Sequence, residues 1–266
     1  MIQPFPYYGG KADMVGHLLS LVPPHKQYIE PFAGASALFW AKSPSENEVL
    51  NDTNGDIVNF YRVLKTRFYE LKKLLDATLH SEATLAAAAA LLRSGAGADV
   101  ERAHAFWVQA TLSFSYAPGK GFAFSSRGEA HGTKHRIDAI TCAHAERLRD
   151  TEIFCRDAVD LIAMKDGVDT FIYADPPYIG SDMGPYAGYK HADFVRLLDA
   201  MAKAKGMFLL SSYPGELLDQ YRRRHGWGTI DIPGVVAVSG KRQKRKLKTE
   251  CLTFNFSPPF LQMPLS

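Results

Sequence analysis

The chain of 266 residues holds only three cysteines, Cys142, Cys155 and Cys251. They are too few and too scattered for a disulfide framework or a zinc site, so reduced thiols and a cytoplasmic location are expected. No apolar stretch reaches the roughly 18 residues that a spanning helix needs, and no membrane contact is expected. The first residues, Met1 to Lys11, lack a basic start followed by an apolar run, so no signal peptide is expected. No His/Cys/Asp cluster has ligand spacing, so no metal is expected. A G-x-G-x-x-G fingerprint is also missing, which disfavours a dinucleotide-binding dehydrogenase. Charge of one sign is scarce: Lys+Arg 31 against Asp+Glu 28 leaves +3. The hydrophobic share of 46% and charged share of 22% are those of a globular chain. They exclude a disordered, collagen-like or coiled-coil protein.

What charge there is lies unevenly. The densest run is Lys241, Arg242, Lys244, Arg245, Lys246 and Lys248, and a second is Arg222 to His225. A third group, Lys120, Arg127, Lys134, His135 and Arg136, is interleaved with Tyr116, Phe122 and Phe124. One such run is as well explained by a solvated face; three in a balanced chain point to a polyanionic partner.

Short apolar runs at 27–30, 48–51, 151–155, 170–174, 207–211, 229–232 and 251–256 read as buried strands. Most are followed by a turn signal and a helical pattern, which predicts an α/β fold with a mostly parallel, Rossmann-like sheet. The last two strands are joined without a helix, so antiparallel pairing is expected there. Gly206 is expected to stop the helix that starts near Asp193. Between the second and third strands lie about 100 residues, where a strand–helix–strand unit needs roughly 30. Helices are expected at 57–75, at 81–93 and from a cap at Asp99 to about Leu112, followed by a hairpin at 114–124 around Pro118-Gly119. The expected organisation is therefore an α/β domain of residues 1–54 and 146–266, with a mostly helical insert at 55–145 ending in a basic, aromatic hairpin.

Three constellations carry chemistry. Asp175-Pro176-Pro177-Tyr178 follows an apolar strand, so its carboxylate lies at a strand's C-terminal end, where open α/β sheets bind ligands. The prolines stiffen the turn and expose carbonyls. A carboxylate and a neighbouring carbonyl form a pair of acceptors for an exocyclic amine, and Tyr178 adds a stacking face. The second constellation is Glu30-Pro31-Phe32-Ala33-Gly34, a strand end opening into a small-residue loop, with Asp52 after the next strand. Gly34 permits close backbone approach, and a carboxylate at Asp52 can accept ribose hydroxyls. Alone, Asp52 is more often a helix cap, here for the helix from Ile57 onward. The third is Tyr7-Tyr8-Gly9-Gly10-Lys11, which by itself is an ordinary loop.

Taken together, these elements resemble the DNA adenine methyltransferase (Dam) family, in the group whose cofactor motifs precede the recognition domain. The resemblance runs from Phe5 to Phe256, and the insert falls where that family carries its target-recognition domain. It implies a site-specific enzyme that methylates the N6 amine of an adenine flipped out of double-stranded DNA. The methyl donor it implies is S-adenosylmethionine, with S-adenosylhomocysteine as product. Tyr7, Tyr8 and Lys11 would line the methionine end of the cofactor. Glu30, Pro31, Phe32, Ala33 and Gly34 would form the floor of its site. Asp52 would hold the ribose and Asp157 the cofactor's adenine amine, while Asp175 to Tyr178 would take the target base beside the cofactor. DNA contacts would fall to Tyr116, Lys120, Phe122, Arg127, Lys134, Arg136 and the run Lys241, Arg242, Lys244, Arg245 and Lys246. A monomer is favoured, and a cognate restriction endonuclease is carried as a further partner.

The alternatives are an N4-methylating cytosine enzyme and a catalytically silent DNA-binding module on the same fold. Intact Asp175 and Gly34 argue against the silent module. A carbon-5 cytosine enzyme is excluded by the absence of a Pro-Cys pair: Thr141, Phe154 and Glu250 precede the cysteines. Protein-glutamine methyltransferases typically carry Asn at the position of Asp175.

Overall fold

The computed structural model describes residues 1–116, 119, 121–123, 129–179, 188–235 and 247–259. The chain divides into two compact units. The first comprises Met1–Leu19 and Ala33–Asp157; the second comprises Ser20–Phe32 and Ala158–Ser266.

The strands are β1 (Gln27–Glu30), β2 (Asn47–Asn51), β3 (Thr151–Phe154), β4 (Thr170–Ala174), β5 (Met207–Ser212), β6 (Gly228–Val235) and β7 (Leu247–Phe254). Every expected run forms a strand, because each offers a short stretch of β-branched and aromatic residues that a covered sheet can bury. All five residues of β4 are buried. The sheet order is β3-β2-β1-β4-β5-β7-β6. Strand β4 runs parallel to β1 and β5, and β2 runs parallel to β3. Strand β7 is antiparallel to β6, as their helix-free connection predicts, and also to β5.

Short helices α1 (Val15–Ser20) and α2 (Ala37–Ala41) precede and follow β1 in sequence, and in the first unit α3 (Gly55–Thr66), α4 (Phe68–Asp76), α5 (Glu82–Ser94), α6 (Asp99–Leu112), α7 (Glu129–Ala139) and α8 (Cys142–Leu148) lie in sequence between β2 and β3. The single helix expected at 57–75 is broken at Arg67, whose backbone leaves the helical region (φ −135°). Its guanidinium holds Glu70 at 2.7 and 2.5 Å across the break. Asp99 is not a cap: Ala98 precedes the helix, and the Ala98 N–H donates to Glu101 at 3.0 Å. Asp99 instead sits in the first turn, where a negative charge suits the helix dipole. The expected hairpin folds back with the Phe114 N–H on Gly121 O at 2.7 Å and the Ala123 N–H on Leu112 O at 2.8 Å. Among its described residues the extended pairing is one bridge, Ser113 to Phe122, and Phe114–Tyr116 form a 3₁₀ turn. Residues 117, 118, 120 and 124 of this segment lie outside the described residues.

The second unit carries α9 (Ala158–Lys165), α10 (His191–Ala202) and α11 (Glu216–His225). Helix α10 ends at Ala202, before Gly206. What Gly206 supplies is space: a Cβ there would lie 2.5 Å from Thr170 O and 2.7 Å from Gly167 O. Among the described residues no helix is long and apolar enough to cross a membrane.

Candidate functional site

In the first unit, the N-terminal segment is anchored by its aromatics. Phe5 meets Phe60 at 4.9 Å and Phe106 at 5.1 Å, both edge to face. Trp107 Nε1 donates to Pro4 O at 2.9 Å, and buried His144 reaches Ile2 O at 3.1 Å. This anchoring presents the turn that follows. Tyr7 is buried and Tyr8 half-buried, Gly10 N–H closes onto Tyr7 O at 2.9 Å, and buried Lys11 donates from Nζ to Gly9 O at 2.8 Å.

The loop from Pro31 to Ser36 has two residues in the left-handed region, Gly34 (φ +46°) and Ser36 (φ +51°). Pinning bonds explain why it persists. The Ala33 N–H donates to Asn51 O at 2.8 Å, and Tyr61 Oη donates to Gly34 O at 2.8 Å. Gly34 N–H donates to Asp52 Oδ2 at 2.9 Å, and Asn54 N–H donates to Asp52 Oδ1 at 2.8 Å. Asp52 is therefore not the cap of α3; Asn54 is, accepting from the Asp56 N–H at 3.0 Å. Burial raises the Asp52 pKa above the usual carboxylate value, against the backbone N–H groups of Asn54, Gly34 and Thr53, which lower it. Such a carboxylate is fixed in direction by three donors and retains acceptor capacity for a hydroxyl.

The ends of β2 and β3 are tied by Asn51. Its Nδ2 donates to Arg156 O at 3.0 Å, and its Oδ1 accepts the Arg156 N–H at 2.9 Å. This places half-buried Asp157 one residue beyond the tie, directly before α9. Sequence reasoning assigned no role to Asn51 or Tyr61, since neither bond is local.

In the second unit, Glu30 is 1% exposed and accepts from Tyr28 Oη at 2.5 Å. Pro31 is buried, and Phe32 packs edge to face on Tyr189 at 6.1 Å. Asp175 is half-buried directly after β4, with its Oδ1 out of solvent contact. Pro176, Pro177 and Tyr178 line a cavity of about 540 Å³ together with His191, Phe194 and Tyr213. Tyr178 Oη donates to Glu250 Oε2 at 3.1 Å, and its ring meets Tyr213 edge to face at 4.6 Å. Behind it, Tyr173 Oη lies 3.1 Å from Ser211 Oγ. Burial first, then the charges of Asp175 and Glu250, push the Tyr178 phenol well above its ordinary pKa; Tyr173 is raised by burial, Asp175 and Glu30. A cavity with an aromatic wall at a strand's C-terminal end suits a planar ring.

Of the basic candidates, Tyr116 and Lys134 are exposed, and Phe122 and Arg136 are half-buried. Arg136 donates to Tyr116 Oη at 2.9 Å and lies 5.1 Å from its ring centre. Phe122 stacks obliquely on His80 at 4.7 Å. Arg222 to His225 form the last turn of α11, where cations suit the helix dipole, and Arg222 pairs with Asp219 at 2.9 Å. Lys120, Arg127, Lys241, Arg242, Lys244, Arg245 and Lys246 lie outside the described residues. Among the described residues, no three His, Cys, Asp or Glu side chains converge as metal ligands.

Comparison with known proteins gives this geometry a family. A type II methyltransferase of Lactococcus lactis subsp. cremoris, M1.LlaDCHI, is 28% identical over 232 residues, 79% of this chain and 81% of the relative. The DNA N-6-adenine-methyltransferase of Escherichia phage P1 is 37% identical over 67 residues, 25% of this chain and 9% of that protein. The DNA adenine methylase of Vibrio cholerae serotype O1 is 38% identical over 58 residues, 22% of this chain and 21% of the relative. Residues 7–196, from the buried Tyr7 turn through the Asp175 motif and into α10, match one sequence family throughout, and the chain belongs to it: the D12 class N6 adenine-specific DNA methyltransferases.

Proposed function

We propose that Asp175 and the Pro176 carbonyl accept the two N–H protons of a target adenine's exocyclic amine, with Tyr178 as the face on which the base stacks. The observation that carries this is the cavity of about 540 Å³ walled by Pro176, Pro177 and Tyr178 at the end of a fully buried strand. The amine is a poor nucleophile because its lone pair is delocalised into the ring. Two acceptors localise that pair and aim it, so the gain is positioning plus electrostatics. The charge on Asp175 also favours the positive character that the nitrogen develops. A base can reach such a cavity only outside the stack, so double-stranded DNA is opened at the target.

S-adenosylmethionine, when bound, supplies a sulfonium methyl for direct transfer. The pinned carboxylate of Asp52, with Gly34 N–H on one oxygen, fits a ribose diol. Tyr7, Tyr8 and Lys11 suit the methionine end, Glu30 to Gly34 the floor, and Asp157 an adenine amine. Tyr116, Phe122, Lys134 and Arg136 offer aromatic and cationic surface to DNA, and residues 55–145 are proposed as the target-recognition domain. A DNA-acting role in a bacterial or phage cytoplasm agrees with the sources of the relatives, and the type II relative supports a restriction-paired role.

Asp175→Ala tests the reading. Methyl incorporation into unmethylated DNA should fall by about 10²- to 10³-fold, while S-adenosylmethionine binding by calorimetry and the melting temperature hold. Near-normal turnover with a lowered melting temperature would make Asp175 a structural cap and overturn the proposal.

A further inference from the structure

We infer that Glu250 is a positioning residue for methyl transfer, fixing the Tyr178 ring against which the target base stacks; the inference rests on the functional reading above. Glu250 lies in β7, 72 residues from Tyr178, and its place follows from the sheet register. Parallel pairing sets Ala174 of β4 beside Leu210 of β5. Antiparallel pairing sets Ser212 of β5 beside Cys251 of β7. Continuing each register by one or two residues brings the Asp175 turn, Tyr213 and Glu250 together at the C-terminal ends of β4 and β5.

There, the Tyr178 ring is held at two places. Its hydroxyl donates to Glu250 Oε2 at 3.1 Å, and its ring meets the Tyr213 ring at 68° and 4.6 Å. The second torsion of a tyrosine is broad and has no sharp staggered wells. A charge-assisted bond at the hydroxyl tip narrows that torsion more than a neutral one does. The same carboxylate disfavours ionisation of the phenol, which keeps the ring neutral beside Asp175. A stacking surface of fixed plane places the base amine at fixed height over the Asp175 and Pro176 acceptors. Small errors of placement at a reacting centre are costly.

The test is a mutant cycle read by tritiated methyl incorporation into unmethylated plasmid DNA. Glu250→Ala should lower kcat by roughly tenfold or more, the effect of losing a hydrogen bond to a charged group, and leave KM for S-adenosylmethionine within about twofold. Glu250→Gln retains an acceptor oxygen and should recover most of that loss. Tyr178→Phe should lose as much as Glu250→Ala, and the double variant should be no worse than either. Losses that multiply in the double variant would show that Glu250 does not act through Tyr178 and would overturn the inference, as would a Glu250→Ala enzyme with the parent kcat. Should Glu250→Ala not fold, Tyr178→Phe, which is nearly isosteric, carries the test alone: it removes the same hydrogen bond, and a Tyr178→Phe enzyme with the parent kcat overturns the inference. Asp175→Ala separates the two levels: if it turns over normally, the functional reading fails. If it is dead while Glu250→Ala matches the parent, only this inference fails.

Discussion

Gly34→Ala is the sharpest test of how the loop before α2 (Ala37–Ala41) is held. Gly34 sits at φ +46°, and the left-handed region costs an L-residue roughly 1–2 kcal/mol. A Cβ there would meet only Tyr7 Cδ1, at 3.6 Å, which is ordinary contact, so sterics add nothing. Escape is closed, because rotating out of this region would break the Gly34 N–H bond to Asp52 and the Tyr61 bond to Gly34 O. Each of these is worth about 1 kcal/mol or more, so the loop stays and bears the strain. At about 2–4 °C per kcal/mol for a chain of this size, the melting temperature should drop by roughly 2–8 °C. Gly55 supplies the opposite sign. It is the first residue of α3, φ is not positive, and nothing lies within 4 Å of an added Cβ. Gly55→Ala should stabilise by about 0.4–1 kcal/mol, mainly by restricting the unfolded chain. Calorimetric melts of both variants beside the parent decide the matter. A Gly34→Ala protein melting at or above the parent, or a Gly55→Ala protein melting well below it, would refute this account of the loop.

Glu48 is buried between Lys42, at 2.6 Å, and Arg147, so Glu48→Ala should cost about 3–5 kcal/mol by stranding two cations. Burial pushes the Glu48 carboxyl up, but the Arg147 and Lys42 bonds outweigh it and hold the pKa below its ordinary 4.5. A depressed folded pKa gives stability that is present above the unfolded value and lost as pH falls through the folded one. In denaturant titrations, the advantage of the parent over Glu48→Gln should therefore shrink in acid below about pH 4.5; an advantage unchanged in acid would count against the network. Burial, then Asp231 at 3.2 Å, pushes the Cys251 thiol up to about 12. Native alkylation followed by mass spectrometry should label exposed Cys142 and Cys155 and spare Cys251. Neutralising Lys241 and Arg242 should weaken binding to all DNA sequences alike and lower the salt slope by about one unit per lost contact. A loss confined to one sequence would mean that the run reads bases.

The strands and the motif at Asp175 were legible because they are local: a buried run of five residues, then two prolines. The antiparallel end of the sheet was legible for a similar reason, the missing helix between β6 and β7. The break at Arg67 was not, since no proline or glycine marks it and the compensating bond is made by a side chain to Glu70. Gly206 looked like a helix stop because that is what glycine most often signals, whereas here it admits two carbonyls from a neighbouring segment. Glu250 reads as one polar residue in a strand, and only sheet register brings it to Tyr178. Asn51 is likewise silent in one dimension, because its partner Arg156 is 105 residues away.

Strand β1 meets its parallel neighbour β4 across 143 residues, where Gln27 Nε2 donates to Thr170 Oγ1 at 3.0 Å. On a ribosome adding roughly 5–20 residues per second, that separation is an interval of about 7–30 s. Throughout it, the β4-facing side of Tyr28 and Ile29 presents unmet backbone donors and acceptors, an open template for any other strand. Whatever binds this edge first, β4 or a stranger, is decided partly by a clock. Elongation speed between Ala33 and Thr170 therefore bears on the yield of folded enzyme, independently of how stable the finished sheet is.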